Sequence, residues 1–188
     1  GLNLIFGVID VVWICYAEII MLGMYTIYFL HVDGEMPLLA AAACGVGVTA
    51  LLGWLTHRLV IGYLLDAAPI NQLLATGGLL FFFQGAAMVV FGVEFRNLGV
   101  SLGSLALSED IYLSWTRLLS FAIAGGVVVV LFQFLSRSYL GAAIRAISQD
   151  REIMILMGVD TKKLYLLTSA IGGGLAGLAA ALLALQYD

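Results

Sequence analysis

The stretch LLAAAACGVGVTALLGWL, residues 38–55, runs for 18 residues without a charge. A bilayer hydrocarbon core needs roughly 20 helical residues to cross it, so this run reads as a membrane span. Working outward, residues 70–91 form another such run, carrying Asn71, Gln72, Thr76 and Gln84 inside it. Residues 115–135 form a third, with Arg117 near the start, and residues 164–185 a fourth. Between the first two, His57 and Arg58 are expected to end one span, and residues 59–65 make a short apolar piece closed by Asp66 and Pro69.

Composition agrees with that reading. Of 188 residues, 63% are hydrophobic and 11% charged, against roughly 25% charged in an ordinary soluble domain. Mean hydropathy is +1.09. Twelve acids and eight bases leave a net charge of −4. So few charges cannot coat a soluble globule, which excludes the soluble enzyme classes. There is no basic face to neutralise phosphates, which argues against nucleic acid as a partner. The lipid bilayer is the partner implied. At about 30 residues per span and loop, the expected fold is an all-α, polytopic transmembrane bundle of about six spans or partial spans. Residues 1–188 read as a single transmembrane domain. Gly1 already lies inside an apolar run, so the chain is read as a fragment missing the start of its first span.

Residues 1–30 are apolar but interrupted. Asp10 and Glu18 divide them into 2–9, 11–17 and 19–30. One straight helix of that length would overrun the hydrocarbon, so a broken or partly re-entrant segment is expected, facing protein or a wet cavity. The segment 136–163 holds Arg137, Arg145, Arg151, Lys162 and Lys163, five of the eight bases. The positive-inside rule therefore puts it in the cytoplasm. Alternation puts 31–37 and 92–110 outside, with Glu94, Arg96, Glu109 and Asp110 in the latter. That loop, rich in Gly, Ser, Leu and Val, has room for a short extended or helical surface piece.

Glu18 is the most informative residue inside the membrane. A carboxylate in hydrocarbon is costly and must face a partner, a cavity or the interface. Tyr16 shares its surroundings, and both are candidates for a solute or water pathway. Thr76 and Gln84 lie eight residues apart, about two helical turns, and serve either a polar solute or a neighbouring helix. The spans are also rich in glycine, with Gly173 and Gly177 at a GxxxG spacing that lets helix backbones approach. Cys15 and Cys44 read as small core residues, and no cysteine or histidine cluster suggests a metal.

Within 136–163, Tyr139, Leu140, Ala143, Ile144, Ile147, Ile153 and Met154 recur at roughly helical spacing, with Arg145, Gln149 and Asp150 between them. This reads as an amphipathic helix, or two, stopped by Gly158. Mixed charge favours docking to a cytoplasmic protein over a lipid surface, which calls for a more uniformly basic helix. No GxxxxGK[ST] motif occurs, so the chain holds no nucleotide site, and no Ser/His/Asp constellation is credible. Catalysis within the chain is not expected.

These residues resemble the permease subunits of bacterial ABC importers for branched-chain amino acids, urea and short amides. GLNLIFGV at 1–8 is similar to the end of that family's first span, EIIMLGMY at 18–25 to its GE-x-x-MLGAY stretch, and NQLLATGG at 71–78 to its following span. LGAAIRAISQDREIMILMGVDTKK at 140–163 resembles the cytoplasmic coupling segment, with Arg145, Gln149, Asp150 and Gly158 on the pattern, and LLTSAIGGGLAGL at 166–178 continues it. The family usually has Asn-x-Ala-His-Gly-Glu before the methionine. Here only Glu18 of that motif is kept, Trp13 and Tyr16 stand in smaller or more polar positions, and Tyr63 replaces a common proline.

The resemblance implies further spans beyond residue 188 and a bacterial inner-membrane location. It implies a second permease subunit, two cytoplasmic ATPase subunits that bind the ATP, and an extracytoplasmic binding protein that delivers the solute. No cofactor is expected in this chain. The residues leave two other readings open: an ion-gradient-driven transporter or channel, which would need more intramembrane charges than Glu18, and a transport-inactive scaffold, suggested by Trp13 and Tyr16.

Overall fold

The structure, a computed structural model, describes residues 1–65, 67–92, 104–108 and 111–186. In order it contains α1 (Leu2–Ile9), α2 (Tyr16–Tyr28) with a π turn at Phe29–Asp33, and α3 (Leu38–Thr56). A second π turn (His57–Ile61) and α4 (Gly62–Leu64) extend α3. There follow α5 (Pro69–Phe91), strands β1 (Ser104–Ser108) and β2 (Ile111–Ser114), α6 (Trp115–Arg137), α7 (Tyr139–Gln149), α8 (Arg151–Leu156) and α9 (Thr161–Ala184). Among the described residues, four helical stretches are long and apolar enough to cross a membrane: Leu38–Leu64, Pro69–Phe91, Trp115–Arg137 and Thr161–Ala184. The shorter α1 and α2 supply partial spans. The bundle is helical as expected, apart from the antiparallel β1–β2 hairpin.

Strand β1 is a short extended piece within the 92–110 loop, whereas β2 (Ile111–Ser114) lies beyond the bounds expected for that loop. Glu94, Arg96, Glu109 and Asp110, and likewise Asp66, lie outside the described residues. The stretch 57–65 is a correction: it does not form a separate piece, and the helix of α3 continues through it to Leu64. Neither Gly nor Pro occurs from Trp54 to Ile61, so nothing forces the helix to stop, and it absorbs the extra residue as a π turn. Arg58 is accommodated by laying its guanidinium 5.1 Å from the centre of the Trp54 ring, one turn earlier. Cys44 also departs from expectation. Cys15 is buried, whereas Cys44 is exposed on α3, where lipid is as good a solvent for a thiol as a protein core.

Helix α9 is the centre of the bundle. Eleven of its 24 residues are buried, against two of the 23 in α6. Between spans there is little hydrophobic drive, because lipid tails are as apolar as the side chains, so association depends on close backbone approach. Helices α3 and α9 run antiparallel along a seam spaced in fours: Gly45, Thr49, Gly53 and His57 on one side, Tyr165, Ser169, Gly173 and Gly177 on the other. A Cβ on Gly53 would lie 2.6 Å from the Ser169 carbonyl oxygen and 3.0 Å from Gly173 Cα. Helix α2 joins through Gly23, where a Cβ would lie 2.8 Å from Thr49 Cγ2 and 2.9 Å from Ala180 Cβ. By contrast α6 stands off from α9, leaving an apolar cleft of about 560 Å³ lined by Gly126, Val130, Phe134, Ile171 and Leu175.

Three successive polar caps shape the segment 136–163. Ser138 Oγ accepts from Gly141 N at 2.9 Å, Asp150 Oδ1 from Ile153 N at 3.0 Å, and Asp160 Oδ1 from Lys163 N at 3.1 Å. Each side chain satisfies an orphan amide at the start of α7, α8 and α9. Gly141 lets α7 fold back sharply on α6, since a Cβ there would lie 2.5 Å from Leu135 Cα.

Candidate functional site

The broken first segment is built around Asp10 and Trp13. Asp10 ends α1 in the left-handed region (φ 56°) and its amide donates to the Phe6 carbonyl, a conformation that Asp tolerates better than most side chains. Residues 10–15 then turn irregularly. Trp13, 1% exposed, fills the inside of this turn beside Ile5 and Ile19, and its indole Nε1 has no hydrogen-bond partner among the described residues.

Helix α2 restarts at Tyr16, whose hydroxyl donates to the Gly172 carbonyl at 2.9 Å. Gly172 is the twelfth of α9's 24 residues. The start of α2 therefore lies level with the middle of a full span, and the irregular backbone before it sits at membrane depth, as a broken helix requires. Among the described residues no side chain caps α2. Glu18 occupies its first turn, half-buried, with no hydrogen bond or ion pair among the described residues. The positive end of the helix dipole favours a carboxylate at that place.

The other two pathway candidates stand apart. Thr76 is fully buried on α5 and its hydroxyl is used within its own helix, donating to Gln72 O at 3.0 Å and lying 3.2 Å from Leu73 O. Gln84, on the same helix, is exposed. No hydrogen bond links Tyr16, Glu18, Thr76 and Gln84.

The segment 136–163 forms two helices with two faces. Ile144, Ile147 and Met154 are buried in the cluster that contains Ile5, Val8 and Ile9, so part of the apolar stripe packs on the chain itself. Tyr139, Leu156 and Met157 are among the most exposed large residues of the chain. Arg145, Gln149, Asp150 and Gly158 are all exposed too. Gly158 adopts φ +78°, with its amide bonded to Ile155 O and that of Val159 to Met154 O, the Schellman arrangement that ends a helix. Hydrogen bonding to the Lys163 side chain, then to its backbone amide, holds the exposed Asp160 carboxyl below its ordinary range.

One polar pair had no counterpart in the sequence reading. His57 Nδ1 and Ser169 Oγ lie 2.9 Å apart, both buried, across 112 residues of chain. The fourfold spacing that aligns them with the seam glycines is the only sequence signal that points to them. Among the described residues there is no group of three or more His, Cys, Asp or Glu side chains able to hold a metal.

A broken half-span, four full spans and an amphipathic elbow define a multi-pass α-helical membrane protein. The whole chain, residues 1–188, matches the family described as the permease component of branched-chain amino acid transport systems, and it belongs to that family. It is 30% identical to the high-affinity branched-chain amino acid transport permease BraD of Pseudomonas aeruginosa, over all of this chain and 65% of that protein. With the LivH permeases of Escherichia coli and Salmonella typhimurium it shares 23% identity, again over all of this chain and 65% of theirs. The chain thus spans about two thirds of the length of these curated relatives. No solved structure matches it.

Proposed function

We propose that this chain is a permease subunit of an ATP-driven importer for branched-chain or related small amino acids in a bacterial inner membrane. The single observation that carries the reading, beside family membership, is the uncapped start of α2 at mid-span with Glu18 in its first turn. An amino acid zwitterion needs a donor for its carboxylate and an acceptor for its ammonium. Free amides at a helix N-terminus and a nearby carboxylate are groups of those two kinds. Tyr16 shares that turn, and Thr76 and Gln84 complete the proposed pathway from α5. The exposed face of 136–163, with Arg145, Gln149, Asp150 and Gly158, is proposed to lie in the cytoplasm and to receive ATPase subunits. ATP is then bound and hydrolysed by those partners, and no cofactor belongs to this chain. A second permease subunit and an extracytoplasmic binding protein complete the assembly.

The test is uptake of labelled leucine by proteoliposomes holding the full-length permease with its partner subunits. The expected result is uptake that requires ATP on the side bearing residues 136–163 and falls to background in Glu18→Gln with the assembly intact. Uptake that persists without ATP and collapses with a protonophore would overturn the reading in favour of a gradient-driven transporter.

A further inference from the structure

We propose that the buried His57–Ser169 pair is a latch that transmits movement of the 136–163 elbow to the α3/α9 seam, His57 acting as a positioning residue. The inference rests on the importer reading above and names a residue which that reading leaves without a role.

Four observations converge on it. First, His57 (2% exposed) and Ser169 (0% exposed) are buried together, their 2.9 Å bond joining two spans otherwise held by glycine contacts. A buried imidazole carries two polar ring atoms whose burial is costly without a partner, so mere packing would be better served by an apolar side chain. Second, the π turn His57–Ile61 begins at this residue; such turns interrupt the regular ladder and concentrate at sites of function. Third, the pair sits at the elbow end of the seam. The Tyr165 ring lies 6.3 Å from the His57 ring, and Arg151, the first residue of α8, places its guanidinium 5.9 Å from the same tyrosine ring. Fourth, next to the latch the seam is backbone against backbone where Gly53 meets Gly173, and only one turn further on does the Thr49 side chain enter it, against Gly177. A glycine-to-glycine contact by itself sets no register, so the directional hydrogen bond beside it can select between two positions of α3 on α9.

Displacement of α8 therefore moves Arg151 against Tyr165, Tyr165 against His57, and His57 against Ser169. Exchange of that hydrogen bond resets α3 on α9. Both arrangements of such an element must be biased by the elbow if the elbow is to do work on the seam.

The experiment measures ATP hydrolysis and solute uptake together in the assembled full-length importer. His57→Phe keeps a ring and removes the nitrogen, Ser169→Ala removes the hydroxyl, and His57→Asn keeps a polar atom near the Nδ1 position. The first two are expected to lower solute moved per ATP hydrolysed by roughly 2- to 30-fold while hydrolysis stays within twofold. His57→Asn is expected to recover most of the ratio, and the double variant His57→Phe/Ser169→Ala to be no worse than either single one. An unchanged ratio in Ser169→Ala, which removes one oxygen and leaves the packing in place, overturns the latch. So does a His57→Asn protein as defective as His57→Phe, or a parallel loss of hydrolysis and uptake. A wild-type complex that does not couple hydrolysis to uptake at all removes the importer reading and the latch with it.

Discussion

Gly177 and Thr49 meet where α9 crosses α3, so closely that a Cβ added to Gly177 would collide with the Thr49 hydroxyl oxygen and lie 2.6 Å from Val46 Cα. Thr49 cannot retreat easily, because its hydroxyl is held 3.0 Å from the Gly45 and Val46 carbonyls. Gly177→Ala is therefore expected to destabilise the bundle by about 1–3 kcal/mol, the usual cost of overpacking a tight contact. Gly126→Ala on α6, where a Cβ would meet nothing within 4 Å, is expected to cost nothing in the same denaturation series. Equal effects at the two positions would mean that the seam is not where the helices are held.

Tyr16→Phe isolates the contact that sets the depth of α2. The ring stays and only the hydroxyl bonded to Gly172 O is lost. Interhelical hydrogen bonds in membranes average about 0.6 kcal/mol, so unfolding should shift by about that much. A loss of several kcal/mol would show that the hydroxyl organises more than one carbonyl.

How much of this was legible in advance depended on the kind of signal. Spans such as 38–55 and 164–185 announce themselves by length and lack of charge, and the break at Asp10 by a carboxylate inside an apolar run. The stop at Gly158 is local chemistry, readable a few residues at a time; the caps Ser138, Asp150 and Asp160 are equally local but came to light only with the structure. Which face of a span turns inward is different. Helix α3 is apolar all round, and lipid accepts Leu51 or Cys44 as readily as a core would, so amphipathicity carries no information there. The continuation through residues 57–61 was hidden for a related reason, since His57 and Arg58 look like a boundary until Trp54 is seen to shelter Arg58. The His57–Ser169 pair emerges only when two distant spans are laid side by side.

Asp160 gives a pH dependence whose sign is set by its lowered folded-state pKa. The carboxylate form is favoured in the folded chain by Lys163, so its contribution is present above the ordinary Asp value and lost as pH falls through the folded value. Protection of the Lys163 amide against hydrogen exchange should hold steady from neutral pH down to about 5 and decline below about pH 4. In Asp160→Asn the amide oxygen still caps α9 but the dependence should flatten. A decline of equal size in the variant would assign the effect to other carboxylates.

Gly158 separates backbone conformation from side-chain contact. Its φ of +78° lies where an L side chain is strained, yet a Cβ would meet nothing within 4 Å. Gly158→Ala should therefore cost about 1–2 kcal/mol from strain alone, with Gly158→Asn less damaging because Asn tolerates the left-handed region. The strain falls on the turn that presents Leu156 and Met157, both largely exposed. Helix α8 should fray, and ATPase subunits should co-purify less with the full-length permease in the order Gly, Asn, Ala. Gly158→Pro adds loss of the amide bonded to Ile155 O and should release the ATPase entirely. If all three variants retained it equally, the α8 turn would not be part of the docking surface, and the exposed face of α7 around Arg145 would have to supply the contact by itself.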